Sequence, residues 1–153
     1  MGEFFDLKTP QDHLKKLERE HAQLQADPGD VDTALSFFVT AAHLPEWITD
    51  VAYKKRLQQK ELIVQICDEL CNRGKHGESQ RRNPAVLHTA YDSFIERGFV
   101  EGFFEATLHV TLSLPAAQQL GMESQVTDVL TLATRALEFW KAHSTFKGSE
   151  ANA

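Results

Sequence analysis

The sequence predicts an α+β, mostly helical fold, in which three helices are followed by an antiparallel β-hairpin and a C-terminal helix. Two observations predict it. Apolar residues recur at three- and four-residue steps up to Gly74 and again from about Glu123, the period of a helix with one buried face. Between them, Phe104, Ala106, Leu108, Val110, Leu112 and Leu114 alternate with Glu105, Thr107, His109, Thr111 and Ser113, the two-residue period of a half-buried strand.

The first helix starts at Thr9, Pro10 and Asp12: a capping hydroxyl, a proline at the first helical position and a carboxylate three residues after the cap. Leu14, Leu17, His21 and Leu24 form its stripe, and "DPGD" at 27–30 breaks it, leaving Asp30 or Asp32 to cap the next helix. Val31, Leu35, Phe38, Ala41 and Ala42 run along that second helix, and Phe37, Trp47 and Ile48 widen the stripe to a central position. Pro45 is expected to kink or end it. A third helix from about Lys54 to Arg73 turns Leu62, Ile63, Ile66, Cys67 and Leu70 inward, with Gly74 as its left-handed C-cap. "AVLHTAYDS", after Pro84, is the antiparallel partner of the alternating strand, and "ERGFVEGFF" joins the two. Pro115 and Gly121 close the strand region. The last helix places Val126, Leu130, Ala133, Leu137 and Trp140 on one stripe. Residues 1–146 are expected to form a single helical domain with the hairpin inserted, and 147–153 a flexible tail.

At 153 residues, with 42% hydrophobic and 25% charged residues, the chain suits one core that needs no metal or disulfide staples. Its 22 acidic and 16 basic residues leave a net charge of -6, which argues against coating nucleic acid or anionic membrane with the whole surface. The N-terminal segment lacks a secretory pattern, and the run 34–44 is too short to cross a bilayer, so a cytoplasmic place without membrane contact is expected. Cys67 and Cys71, one helical turn apart, read as reduced core thiols; with His76 they make at most three metal ligands, and no metal or other cofactor is expected.

One basic stretch stands out against the acidic balance. Arg73, Lys75, Arg81 and Arg82 face only Glu78, with Asn72 and His76 beside them. Cations at a helix C-terminus are stabilised by the helix dipole by about 0.3–1 kcal/mol, and Asn72 can bond loose carbonyls, so helix termination accounts for the cluster. The other reading makes these six residues an anion site for phosphate or an RNA backbone. Arg82, Asn83 and His88 also fit the Arg-to-His count of the HEPN group of helical ribonucleases, although Pro84 and a strand pattern fall inside the motif. His43 and Trp47, one turn apart, either pack in the core or line a pocket with His76. Phe99 and Phe103 either form an apolar contact patch at the hairpin tip or fold back into the core. No catalytic constellation is complete.

"KTPQDHLKKLEREHAQLQADPGDVDTALSFFVTAAHLPEWI", then "ICDELCNRGKH" and a late "ALEFW", resembles a family of small uncharacterised bacterial proteins with FFVTAxHLxxW and NxxKH segments. The resemblance runs from Lys8 to about Trp140. It implies a single bacterial domain, carries no established activity, and singles out His43, Trp47, Asn72, Lys75 and His76. The function expected from all this is a non-enzymatic protein-interaction module, with a protein partner or a second copy of the chain. The alternative is an RNA-binding or HEPN-like ribonuclease using the basic loop from Arg73 to His88.

Overall fold

The computed structural model describes residues 7, 9–48, 51–77, 83–93 and 106–151. Their order is α1 (Pro10–Ala26), α2 (Val31–Ile48), α3 (Val51–Lys60), α4 (Leu62–His76), β1 (Val86–Ser93), β2 (Ala106–Leu112), α5 (Leu114–Gln119), β3 (Val126–Asp128) and α6 (Val129–Ala151). The fold is α+β and mostly helical. None of the helices described is long and apolar enough to cross a membrane.

The first two helices begin where their caps predict. Thr9 Oγ1 accepts from the Asp12 N–H at 3.1 Å, and the Asp12 carboxylate accepts from the Thr9 N–H at 3.0 Å, a reciprocal box that satisfies two otherwise open donors. The Asp30 carboxylate accepts from the Asp32 N–H at 3.0 Å and from the Thr33 hydroxyl at 2.8 Å. These bonds, the hydroxyl's first, hold the Asp30 carboxyl below the ordinary carboxylate range.

Between α2 and α4, three of the expected boundaries move, each for a packing reason. α2 continues through Pro45 to Ile48 instead of ending there. Its last turn is held from outside, because the Trp47 ring stacks on His13 of α1 with centroids 3.8 Å apart. The long third helix is two: Glu61 is extended (φ -108, ψ 106) and separates α3 from α4. A straight helix would carry Glu61 into the stripe between Leu57 and Val64, both buried, and the break releases it. Gly74 is not the cap. α4 runs to His76 and ends at Gly77, whose φ of +84 is the one glycine tolerates and whose N–H bonds the Arg73 carbonyl at 2.9 Å. Gly74 serves a different need: a Cβ there would fall inside the Leu35 side chain, so glycine lets α4 approach α2.

The hairpin pairs as expected, Val86 with Leu112 and then His88 with Thr111 through Ser93 with Ala106, with an irregularity at Leu87. Its connection, residues 94–105, lies outside the described residues. β2 stops at Leu112 and not at Leu114. Ser113 Oγ accepts from the Ala116 N–H at 3.3 Å, and Pro115 stands in the first turn, so α5 starts here. The last helix does not start near Glu123 either. Val126–Asp128 forms β3 against β2, giving a sheet of order β1-β2-β3. Val126 is 50% exposed and contributes nothing to a helical stripe. Asp128 then caps α6, accepting from the Thr131 N–H and hydroxyl, both at 2.8 Å. α6 carries the helix through 147–151, where the sequence suggests a tail.

One apolar cluster joins these elements. Leu17 and Leu24 of α1, Phe37 and Leu44 of α2, Ile66 of α4, Val110 and Leu112 of β2, and Leu132 and Trp140 of α6 are all essentially inaccessible to solvent. The sheet rests on this cluster through its even-numbered residues in β2, as the two-residue period requires.

Candidate functional site

The second half of α4 organises the region where helices meet sheet. Glu69 lies one turn beyond Ile66 on the buried stripe and is 1% exposed. Its carboxylate accepts from the Ala85 N–H and the Val86 N–H, each at 3.1 Å, and from the Gln65 amide at 2.8 Å. The start of β1 is thus fastened on one side to α4 by a side chain, while on the other Val86 pairs with Leu112 of β2. Four residues on, Arg73 Nη2 donates to the Leu87 carbonyl at 2.8 Å and the Val86 carbonyl at 3.4 Å. Arg73 therefore acts as a clamp between α4 and β1, a role distinct from the helix-end charge that its position suggests. Asn72 does not reach the loose carbonyls: its amide donates to Asp68 at 3.3 Å.

Beside this clamp lies an open cleft of about 270 Å³. Its walls are α2 (Val31, Leu35, Phe38), α4 (Leu70, Arg73) and the sheet, chiefly Leu108 and Val110. Most of the lining is apolar, and Val31 at its edge is 56% exposed. Two alternations meet here: the inward face of β2 and the N-terminal half of the α2 stripe converge where Gly74 allows α4 to come close.

Among the described residues that the sequence marks out, Arg73 alone lines this cleft. His43 bonds the Val39 carbonyl through Nδ1 at 2.8 Å, on its own helix. Trp47 stacks on His13 and belongs to the α1–α2 contact. The side chains of Lys75 and His76, and Arg81, Arg82, Phe99 and Phe103 as a whole, lie outside the described residues. So does Arg82 of the nuclease count, whose other members, Asn83 before β1 and His88 on β1, are both exposed and not on a helix. Cys67 and Cys71 are buried as expected, and burial, with Asp68 and Cys71 nearby, pushes the Cys67 thiol well above its ordinary value. Among the described residues no group of three His, Cys, Asp or Glu is placed to hold a metal.

α1 is attached to the rest of the bundle through polar contacts as well as leucines. Lys16 Nζ donates to Glu20 at 2.9 Å and to the buried Thr40 hydroxyl at 2.6 Å. His21 Nε2 meets the Thr134 hydroxyl of α6 at 2.9 Å. Burial lowers the pKa of His13 and of His21, with Lys16 and Lys141 respectively adding to it and Asp12 and Glu138 opposing it. The unfolded chain then takes up these protons first, at the ordinary histidine value of about 6.5. Their contribution to stability is complete above that pH, is lost as pH falls through the folded-state values, and levels off below them. Urea unfolding at pH 8 and pH 5 is expected to show a lower midpoint at pH 5, with the drop reduced in His13→Gln/His21→Gln; an equal drop in that variant contradicts the assignment.

No family model matches the chain, and no curated protein or solved structure shows significant similarity to it.

Proposed function

We propose that the chain is a non-enzymatic interaction module that takes an apolar stretch of a partner protein into the cleft between α2, α4 and the sheet. The observation that carries this reading is the cleft itself: apolar walls, open to solvent, with Val31 exposed at the rim. At about 270 Å³ it falls below the roughly 300–1,000 Å³ typical of sites that enclose a cofactor or metabolite, and it suits one or two aliphatic or aromatic side chains. Arg73 at its wall offers a charge to the rim of such a contact. A bacterial setting rests on the resemblance to the family with the FFVTAxHLxxW and NxxKH segments, and with a cytoplasmic place it belongs to the same proposal.

Val31→Asp tests it without attacking the core. Position 31 opens α2, where a carboxylate is favoured by the helix dipole, so stability is expected to stay within about 0.5 kcal/mol of the parent. A charge at the apolar rim is expected to weaken partner capture about tenfold or more. The measurement is photo-cross-linking from position 35 in cells that make the protein, with and without Val31→Asp. Unchanged capture by a folded variant rejects the cleft as the contact.

A further inference from the structure

The lining of the cleft is uneven in charge. Apolar side chains of α2, α4 and β2 make most of it, and the guanidinium of Arg73 and the hydroxyl of Thr89 stand among them. Thr89 is opposite Val110 in register, so the two share a face of the sheet. No Asp or Glu is among the lining residues. The hydrogen bonds of Arg73 run from Nη2 to the Leu87 and Val86 carbonyls, which fix the group and leave its charge uncancelled. Its Nε is closed off from solvent without an acceptor, and among the described residues no carboxylate lies within ion-pair distance of the guanidinium. The nearby acids are engaged elsewhere. Glu69, one turn away on α4, accepts from Ala85, Val86 and Gln65, and Asp30, beside Val31, accepts from Asp32 and Thr33.

We propose that the segment held in this cleft is an acidic peptide, in which an aliphatic or aromatic residue enters between α2 and β2 while a neighbouring Asp or Glu meets Arg73. The inference deepens the cleft reading and rests on it. Apolar walls accept many side chains of suitable size, so the charge is what discriminates. A carboxylate matches the planar donors of a guanidinium and gains a charge-assisted bond. A neutral segment covers the same cation without giving it an acceptor, and a basic one repels it. Because its grip on β1 already orients Arg73, little side-chain freedom is lost when the partner arrives. Thr89, two residues along β1 from the carbonyl that Arg73 holds, adds a hydroxyl donor to the same lining. The net charge of -6 does not forbid such a partner, since charges farther away than about 8 Å are largely screened at physiological salt and the contact is decided locally.

Selection of random short peptides displayed on phage against the full chain, followed by titration of synthetic copies, decides it. The retained peptides are expected to set an aliphatic or aromatic residue beside Asp or Glu, and replacing that acid by its amide is expected to weaken binding about tenfold. Raising NaCl from about 50 mM to about 500 mM is expected to weaken the acid form and to leave the amide form unchanged. Arg73→Gln, whose amide can still donate to the Leu87 carbonyl, is expected to bind the two forms alike, with circular dichroism confirming its fold. Equal binding of the acid and amide forms by the parent overturns the inference, whether or not that variant folds. Octanoate binding as tightly as the peptide assigns the cleft to a free acid and overturns the peptide as its occupant. Val31→Asp separates the two readings. Peptides without an acid that are lost in Val31→Asp overturn this inference and leave the cleft reading standing, whereas peptides indifferent to Val31→Asp, or none retained at all, overturn both.

Discussion

Glu69→Ala is expected to lower unfolding free energy by about 3–5 kcal/mol, among the largest effects of any single change in this chain. The carboxylate is 1% exposed and holds two backbone donors, the N–H groups of Ala85 and Val86, together with the Gln65 amide. Alanine leaves the two buried backbone donors without an acceptor, each costing about 1–3 kcal/mol, while the half-buried Gln65 amide can turn to water. Glu69→Gln separates charge from size. The glutamine amide keeps one acceptor but turns donors toward a donor, so a loss of about 1.5–3 kcal/mol is expected. Urea midpoints measure both. Hydrogen exchange locates the damage: the Ala85 and Val86 amides are expected to lose protection in the alanine variant before those in α1 do. A Glu69→Ala loss below about 1 kcal/mol contradicts the view that this side chain fastens the sheet to the helices.

Phe37→Ala is expected to cost about 3–5 kcal/mol, for a different reason. Phe37 is fully buried, sits edge-on to Phe38 with centroids 5.1 Å apart, and lies 6.2 Å from the His21 ring that contacts α6. Its removal opens a cavity where α1, α2 and α6 meet, and the rigid helices around it close that space only in part. Denaturant unfolding measures the loss; a cost under about 1 kcal/mol means that the helices collapse into the gap. The comparison with Val31→Asp on the same helix is informative, because one change strikes the packed stripe and the other its exposed rim. In the FFVTAxHLxxW segment, Phe37, Phe38, Ala41 and Leu44 are core, Thr40 receives Lys16, and Trp47 covers His13. Those positions are thus accounted for by packing of α2 against its neighbours.

Helix caps were legible in "TPQD" and in "DPGD", since they depend on side chains reaching backbone a few residues away. Two more are equally local: Ser113 with Pro115, and Asp128 with Thr131. The alternation, which runs on to Leu114, hides the first, and the helical stripe that includes Val126 hides the second. Glu69 carried a visible signal as well. A carboxylate one turn beyond Ile66, on a stripe otherwise made of Leu62, Ile63, Ile66 and Leu70, must find donors or be expelled.

The residue order by itself determined the α+β class, the hairpin, the amphipathic faces and the first two helix starts, because each follows from periodicity or from contacts within one turn. Only the tertiary structure decided that Glu69 and Arg73 grip β1, that Gly74 is a point of helix approach, and that a cleft opens beside them. Those features depend on groups from 13 positions apart (Arg73 and Val86) to 79 (Val31 and Val110), and the spacing of residues along a chain carries no record of which distant donor a buried carboxylate will meet.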